Sequence, residues 1–327
     1  MDRRTFIAWA GSAAAAWPRA AIAQQTGGVR RVGLVMGVNT PVYKVARAAF
    51  LDEMRKTGFV EGRDFVLEVR SNQQGVSRLA ADMAELVAWK ADVIIAGGTE
   101  ATLRAAQSAG PNVPIVMWAN NYDPIATGFV QSLARPGGNV TGVFTRQPEL
   151  TAKQVELLKE TFPQRNRLVV LWDSQSSGQF ESAMRQARTL GIEVNAHKLE
   201  KMPYDIPAAF HAMMAKAPEM LLVCSGPNIG TYQQVVVDQA LQLRLPSMYI
   251  FRTYVARGGL MSYGVDIGAN FRRVAALVAK VLNGAQPAIL PIEQPTTYEL
   301  AVNLKTAKAI GIELPTSILL RANEVIE

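Results

Sequence analysis

Residues 91 to 118 read ADVIIAGGTEATLRAAQSAGPNVPIVMW. The stretch begins with a continuous apolar run, which is typical of a strand buried on both faces of a parallel sheet. The run ends at Gly97 and Gly98, Thr99 is a favourable N-cap residue, and a helical pattern leads through Gly110 to a second apolar run. A strand, a helix and a strand in this order predict a right-handed crossover in a parallel sheet.

The same pattern returns over residues 218 to 251, which read PEMLLVCSGPNIGTYQQVVVDQALQLRLPSMYIF. An apolar run ends at Ser225 and Gly226, a helical stretch follows, and a proline precedes the next apolar run. Most of the remaining chain also alternates between strand and helix patterns. We predict an α/β fold of two Rossmann-like lobes with parallel sheets. Ligands of such sheets bind beyond the carboxyl ends of the strands, so both turns would line one cleft if the lobes face each other.

The length of the chain agrees with two lobes. Single cores stop growing near about 250–300 residues, and this chain has 327 residues. We expect a first lobe over residues 24–145 and a second lobe over 146–270. Residues 271–327 are expected to form a C-terminal helix and a crossing segment that returns towards the first lobe.

The first 25 residues, MDRRTFIAWAGSAAAAWPRAAIAQQ, have the three parts of a bacterial secretory signal. Arg3 and Arg4 form a basic start, residues 6–17 are apolar or small, and Ala21-Ile22-Ala23 is a small-x-small cleavage site. A membrane anchor is the alternative, but it needs about 20 apolar residues and this run is shorter. We expect cleavage after Ala23 to release a periplasmic protein that begins at Gln24. The order Arg-Arg-Thr-Phe-Ile favours the twin-arginine export route.

Charge and cysteine content exclude several classes of protein. The formal net charge of +7 falls to about +5 without residues 1–23, and the basic residues are scattered, so we expect no nucleic-acid partner. Cys224 is the single cysteine, which excludes an intramolecular disulfide. No cysteine stands at the cleavage site, so a lipid anchor is not expected either. We expect a monomer.

Signals for catalysis and for metal binding are absent from the sequence. His197 and His211 are the only histidines; they fall in a predicted strand and a predicted helix, without a partner at metal-ligand spacing. The motifs G-x-S-x-G, G-x-G-x-x-G and the P-loop do not occur. Cys224 ends an apolar strand and is interpreted as a small buried residue. We therefore expect no catalytic residue, no metal and no cofactor.

The chain resembles the substrate-binding proteins of ABC transporters, in their tryptophan/tyrosine-type branch, because it contains several long motifs of that family in the same order. They are DPIATGFVQSLARPGGNVTGV (123–143), PIEQPTTYELAVNLKTAKAIGIELP (291–315) and GFVEGRDFVLEVR (58–70). The resemblance covers nearly the full chain. It implies a periplasmic-binding-protein fold of the first type, with two lobes joined by a multi-strand hinge of three crossing strands and a ligand held in the cleft. It also implies delivery to a membrane permease and no catalysis.

Candidate ligand residues of the first lobe follow its strands, in the loops GVNTPVY, GGT and WANNYDP. They are Asn39, Thr40, Tyr43, Gly98, Thr99, Asn120, Asn121 and Asp123. Free N–H groups at a helix N-terminus suit a carboxylate, but Thr99 is equally typical of simple helix capping. Asp123 could meet an ammonium group, or it could start a turn before Pro124. A helix is predicted after this loop, ending near residues 135–138.

Candidate ligand residues of the second lobe lie on its strands or just after them. They are Asp173, Ser174, Ser225, Gly226, Tyr249, Tyr263 and Asp266. Tyr249 belongs to an alternating pattern that is more often part of a core. In the first lobe, Trp118 and Tyr122 are candidates for stacking on a ligand. Aromatic side chains on both edges of the cleft favour a flat or aromatic solute.

These observations predict the solute-binding component of an ABC importer. It would trap a small organic solute, amino-acid-like or an aromatic carboxylate, by hinge closure, and would pass it to a transmembrane permease with its ATPase. One alternative is a periplasmic sensing domain that presents its ligand to a signalling partner, which neighbouring genes would distinguish. The other is an enzyme on the same scaffold, which turnover of the bound solute would reveal.

Overall fold

The computed structural model describes residues 28–327. The predicted export signal and its cleavage site lie outside the described residues. The strands are β1 Arg30–Met36, β2 Phe65–Ser71, β3 Val93–Gly98, β4 Ile115–Ala119, β5 Val140–Phe144, β6 Arg167–Asp173, β7 Glu193–Leu199, β8 Met220–Val223, β9 Ser247–Tyr249, β10 Met261–Val265, β11 Tyr298–Asn303 and β12 Glu324–Ile326. The α-helices are α1 Pro41–Lys56, α2 Val76–Ala88, α3 Glu100–Ala109, α4 Gln147–Thr161, α5 Ser177–Thr189, α6 Ile206–Met214, α7 Gln233–Gln242, α8 Arg252–Val255, α9 Ile267–Leu282, α10 Leu304–Ile310 and α11 Thr316–Leu319.

The first lobe is built on a parallel five-stranded sheet in the order β2-β1-β3-β4-β5. Helices α1 and α9 pack together over one face, and α2 and α3 cover the other. Because both faces are covered, β4 and β5 are buried along their whole length. The strand order reverses between β1 and β3, which is the point where open α/β sheets bind ligands.

The second lobe is built on a seven-stranded sheet in the order β12-β11-β10-β9-β8-β6-β7. Its pairs are parallel except for β10 and β11, which run antiparallel. Apolar residues of α6, α7 and α8 pack against one face, and those of α4, α5, α10 and α11 against the other. The order reverses between β6 and β8, so this lobe also has a switch point. The predicted α/β fold with two lobes is confirmed.

The chain passes between the lobes three times. It does so after β5, at Asp266 between β10 and α9, and over residues 295–297 before β11. Helix α9 packs on α1, and the segment behind it extends the first sheet, where Glu293 pairs with Val143. The chain therefore returns to the first lobe at Ile267 rather than at residue 271, and the residues from Tyr298 onward belong to the second lobe.

The prediction of a helix that ends near residues 135–138 is wrong, because turns and bends connect β4 to β5. The Asp123 carboxylate accepts hydrogen bonds from the backbone N–H groups of Ile125 and Ala126, which closes a tight turn instead of starting a helix. Gly128 follows with a φ of +76°, a conformation that a right-handed helix does not contain. Proline and glycine at 136 and 137 end the segment.

Three short elements were not predicted from the sequence. One is α8: the stretch LPSMYIFR (245–252) predicts a single strand, but β9 is limited to Ser247–Tyr249 and α8 starts at Arg252. The other two are α11 and β12, near the C-terminus. Within residues 28–327, no helix combines the length and the apolar character needed to cross a membrane.

Candidate functional site

A cavity lies where the carboxyl ends of both sheets meet. It is lined by Met36, Gly37, Thr40, Val42, Gly97, Gly98, Thr99, Trp118, Asn120, Asn121, Ser225, Gly226, Pro227, Gly230, Gln233, Phe251 and Tyr254. The lining follows β1, β3 and β4 in the first lobe and β8 and β9 in the second. The two duplicated turns thus lie opposite each other.

The turn after β3 brings backbone close to the cavity. A Cβ atom on Gly97 would lie 2.9 Å from the Cβ of Met36, so a larger residue would collide with the end of β1. Gly98 has a φ of +100°, which only glycine adopts readily. The Thr99 side chain makes no capping hydrogen bond to α3; its Oγ1 lies 3.1 Å from Oγ1 of Thr102. The first N–H groups of α3 therefore lack a side-chain cap at the cavity wall.

The loop after β1 forms the neighbouring part of the wall. Thr40 is the N-cap of α1, and its Oγ1 accepts a hydrogen bond of 3.0 Å from the N–H of Tyr43. Pro41 stands at the first position of the helix, where a missing N–H group is tolerated. Thr40 lines the cavity, whereas the exposed Asn39 does not.

Gln179 holds the turn of the second lobe in place. Its Oε1 accepts from the N–H of Ser225 at 3.0 Å, and its Nε2 donates to the carbonyl of Ser225 at 2.8 Å. Ser225, Gly226 and Pro227 reach the cavity in this fixed arrangement. The helix does not start at once as it does after β3: a short 3-10 turn comes first, and α7 begins at Gln233.

Hydrogen bonds join the two lobes beside the cavity. The Asn121 amide donates to the carbonyls of Gln175 at 3.0 Å and Ser225 at 3.1 Å, and its Oδ1 accepts from Gln179 at 2.6 Å. Asn121 has a φ of +55°, which asparagine tolerates better than most residues. Nearby, Nε2 of Gln73 donates to the carbonyl of Pro227 at 2.8 Å. The lobes are therefore in direct contact across the cleft.

Two buried polar side chains at the cavity lack protein partners within residues 28–327. Gln233 is 2 % exposed, and neither its Nε2 nor its Oε1 has a hydrogen bond. Trp118 is 4 % exposed, and its indole Nε1 has none. A buried polar group without a partner costs about 1–3 kcal/mol, so such groups commonly mark a place where another molecule binds.

Aromatic rings form the apolar part of the lining. Tyr254 stacks on Tyr249 with ring centroids 4.6 Å apart, and Trp118 meets Phe271 edge-on at 5.0 Å. Phe251 adds a further ring, and Met36, Val42 and Pro227 are the other apolar side chains of the lining. Burial raises the pKa of the Tyr254 phenol, which keeps it a neutral group. The rings can hold a flat apolar body, while the polar groups fix its orientation.

The cavity brings together Trp118, which the sequence predicts as a stacking residue, and seven of the fifteen other predicted ligand residues. These seven are Thr40, Gly98, Thr99, Asn120, Asn121, Ser225 and Gly226. Of the other lining residues, Phe251 and Tyr254 are aromatic residues on or just after a predicted strand of the second lobe, whereas the sequence gives Gln233 no ligand role. Phe251 and Tyr254 follow the apolar run at 245–250, and that position was the available signal for them. The sequence gives no indication that Gln233 lines the cavity. Its position there depends on the 3-10 turn that precedes α7 and displaces the start of the helix.

Eight of the predicted ligand residues do not line the cavity. They are Asn39, Tyr43, Asp123, Asp173, Ser174, Tyr249, Tyr263 and Asp266. The Asp123 carboxylate caps the turn that contains Ile125 and Ala126. The Asp266 carboxylate caps the N-terminus of α9. Tyr249 is fully buried behind Tyr254, and Tyr263 packs against Tyr298 at 6.2 Å.

Asp173 lies close to the cavity but behind Gly226. Its carboxylate accepts from Gln175 N–H at 3.0 Å and from the hydroxyls of Ser176 and Tyr204 at 3.1 Å each. Burial raises the pKa of this carboxyl, although these hydrogen bonds act in the opposite direction. The carboxylate thus stabilises the loop that leads into α5, and its oxygens are already engaged.

Cys224 is 1 % exposed, and burial raises the pKa of its thiol, which agrees with a small buried residue. His197 lies in β7 and His211 in α6, as their patterns predicted. Over residues 28–327 there is no group of three or more histidine, cysteine, aspartate or glutamate side chains placed to hold a metal ion.

Comparison with known proteins links this geometry to one family. The family model described as "ABC transporter substrate binding protein" matches residues 31–326. A tyrosine-binding protein of Clostridioides difficile is 24% identical over 287 residues, which cover 87% of this chain and 81% of the relative. These matches span both lobes and all three passages between them.

Solved structures agree in fold. An ABC domain from Streptococcus pneumonia in complex with L-Trp is 25% identical, with a TM-score of 0.81 over 91% of this chain and 100% of the other. The ligand-free, open structure of a substrate-binding protein with adhesive properties from Clostridium difficile is 21% identical, with a TM-score of 0.64 over 91% and 99% of the chains.

Proposed function

We propose that this chain, which belongs to the ABC transporter substrate-binding protein family, traps one small organic solute between its lobes for import by an ABC permease and its ATPase. The family consists of solute-binding proteins, not enzymes. The observation that carries the proposal is the position of the cavity, which is formed by both lobes and bordered by the hydrogen bonds of Asn121 to Gln175 and Ser225. Neither lobe alone encloses the site.

The lobes work by closing over the solute. Solute that binds only when both walls are in place shifts the equilibrium towards the closed state by its difference in affinity for the two states. Three passages of the chain form the hinge, and they leave each sheet intact during a rigid-body rotation. The bonds between Asn121 and the second lobe exist only in the closed state, so they add to the stability of that state.

The solute class is amino-acid-like or an aromatic carboxylate. Trp118, Phe251 and Tyr254 offer ring surface, and the start of α3 beside Gly98 offers N–H groups and a partial positive charge for a carboxylate. The names of the relatives support this class, since one is a tyrosine-binding protein and one was solved with L-Trp.

The protein acts as a periplasmic monomer. Its family works outside the cytoplasm, and the first residues carry the pattern of an export signal that is cleaved after Ala23. The twin-arginine route is tested by replacing Arg3 and Arg4 with lysine and measuring the amount of processed protein in the periplasm. Normal export of that variant excludes the route, and a mature protein that still begins at Met1 excludes the cleavage.

The experiment on the function is a thermal-shift screen of the mature protein against amino acids and aromatic acids. A solute present at 100 times its Kd should stabilise the folded protein by about 2.7 kcal/mol. The hit is then tested by small-angle scattering, where we expect compaction relative to the solute-free protein. A tight solute that leaves the scattering profile of an initially open protein unchanged excludes hinge closure, and chemical turnover of the solute favours an enzyme.

A further inference from the structure

The lining of the cavity is polar in part but carries no charged side chain among the described residues. Its polar side chains are Thr40, Thr99, Asn120, Asn121, Ser225, Gln233, Trp118 and Tyr254, and the remainder are glycine or apolar. An ionised group moved out of water into such a site needs an opposite charge or several well-placed hydrogen bonds. An ammonium group would require a carboxylate or free carbonyl oxygens here.

The carboxylates that lie near the lining residues in the sequence are engaged elsewhere. Glu100, which follows Thr99 in the first turn of α3, pairs with Arg104 on the surface of that helix. Asp173 is fully buried behind Gly226 and accepts three hydrogen bonds from its own lobe. Asp123 is exposed and closes the turn after β4. Asp266 caps α9 through the N–H of Ala269 and lies 3.6 Å from the Arg272 guanidinium.

The acceptor atoms at the junction of the lobes are also taken. The carbonyl of Ser225 accepts from both Asn121 and Gln179, and the side-chain oxygen of Asn121 accepts from Gln179. The carbonyl of Pro227 accepts from Gln73. These bonds use the lone pairs that would otherwise face an ammonium group.

Free donors outnumber free acceptors among the buried side-chain atoms of the lining. The indole Nε1 of Trp118 and the Nε2 of Gln233 are donors without partners in the part of the chain that the structure describes, and Oε1 of Gln233 is the single such acceptor. Helix α3 starts at the same cavity, is ten residues long, and has no side-chain cap. Its N-terminus and the two side chains together form an environment that favours negative charge over positive charge.

We propose that the solute is an aromatic carboxylate without an ammonium group, rather than an α-amino acid. Its ring lies among Trp118, Phe251 and Tyr254, and its carboxylate is bound by the start of α3 and the amide of Gln233. This proposal rests on the proposed function and narrows it. It assigns to Gln233 the role of a specificity-determining residue.

The test compares matched pairs of solutes by calorimetry on the mature protein. The pairs are phenylpropanoate with L-phenylalanine, hydroxyphenylpropanoate with L-tyrosine, and indolepropanoate with L-tryptophan. Within each pair the ring and the carboxylate are kept and the ammonium group is the difference. In the pair that binds best we expect the acid without the ammonium group to have a Kd at least about tenfold lower.

Tighter binding of the amino acid overturns the inference and leaves the proposed function standing. Binding of no member of any pair overturns the inference too; if the wider thermal-shift screen also finds no solute, the proposed function fails with it. The two failures are therefore distinguishable.

A charge variant tests the role of Gln233. In Gln233→Glu a carboxylate of nearly the same shape faces the cavity, so the Kd of the best acid should rise at least about tenfold, and the preference should move towards the amino acid of the same pair. The matched control is Gln242→Glu, the same change at the exposed end of α7. An unchanged Kd in a folded Gln233→Glu protein overturns the assignment. If that variant does not fold, Gln233→Leu, which removes the donor without adding charge, replaces it and should also raise the Kd of the acid.

Discussion

The Asn121 side chain of the first lobe donates a hydrogen bond of 3.1 Å to the carbonyl of Ser225 in the second lobe. The same amide reaches the carbonyl of Gln175, and Gln179 donates back to its oxygen. One side chain thus makes three neutral hydrogen bonds across the cleft. All of them break when the lobes separate, and water then solvates the same groups.

Replacing Asn121 should therefore weaken solute binding without changing the cavity's ring surface. Asn121→Gly is the variant of choice, because glycine keeps the φ of +55° without strain. With about 0.5–1.5 kcal/mol for each of the three bonds, we expect the Kd to rise about tenfold to a thousandfold, mainly through a less populated closed state. Calorimetry gives the Kd, and scattering of the solute-free protein gives the degree of opening.

Asn39→Gly is the matched control. Asn39 also has a positive φ, of 58°, in a strand-to-helix loop of the first lobe, but its side chain is exposed. Its replacement should change the Kd less than twofold. Equal effects of the two variants would show that backbone flexibility of the loops, not the bonds across the cleft, sets the affinity.

Thr99→Ala and Ser225→Ala test the paired turns. Each hydroxyl lies at the cavity, so each variant should raise the Kd of the solute roughly two- to tenfold. Thr99→Ala should destabilise the fold by about 0.5–1.5 kcal/mol, because it removes the hydrogen bond to Thr102, whereas no capping bond to α3 is lost. Measurement by calorimetry below the melting temperature, with parallel melting curves, separates binding from stability. Parent-like affinity in both variants would mean that these hydroxyls do not touch the solute.

Asp173→Asn should change how stability depends on pH. Burial raises the native pKa of Asp173 above its ordinary value of 3.8. Between that value and the native pKa the folded protein holds more protons than the unfolded chain, so the free energy of unfolding falls as the pH rises. The asparagine variant lacks this contribution. In denaturant titrations, the free energy of unfolding of the variant minus that of the parent should increase from about pH 4 upward and then become constant. A difference that does not change with pH contradicts a raised native pKa of Asp173.

Gly142→Ala should destabilise the first lobe severely. Gly142 lies in β5 with a φ of 145°, and a Cβ atom there would stand 2.0 Å from the carbonyl oxygen of Met117 in β4. We expect a loss of at least about 3 kcal/mol in the free energy of unfolding, or no soluble protein. The control is Gly138→Ala, where nothing lies within 4 Å of the new atom and a change within about 0.5 kcal/mol is expected. Denaturant titration of both variants measures these two changes in the free energy of unfolding.

The repeating units were predictable because their signals are local. The apolar runs of β3 and β8 end at glycine or serine turns, and these turns face one cavity as the strand-end rule requires. The prediction that acidic residues after strands bind the ligand was wrong because it also used only local signals. Asp123 and Asp266 follow strands as ligand residues do, but a carboxylate near backbone N–H groups satisfies those groups first.

The contacts that depend on the packing of one lobe against the other were not predictable. Gln233 lies far from Trp118 in the chain, and nothing in the helical pattern of α7 distinguishes it from the other glutamines there. The bonds of Asn121 need a positive φ and a defined orientation of the lobes. Sequence periodicity reports which face of a helix or strand is buried, but not what lies opposite it.

The pairing of Val143 with Glu293 bears on how the protein is made. Synthesis proceeds from the N-terminus, and domains tend to fold as they emerge. When β5 leaves the ribosome, α9 has not been translated, so the apolar face of α1 around Ala46 and Phe50 still lacks its cover. The first lobe therefore cannot finish folding until most of the second lobe has been synthesised, because α9 and the edge segment at Glu293 follow β10. The second lobe in turn waits for β11 and β12, so the completion of both halves depends on the last part of the message.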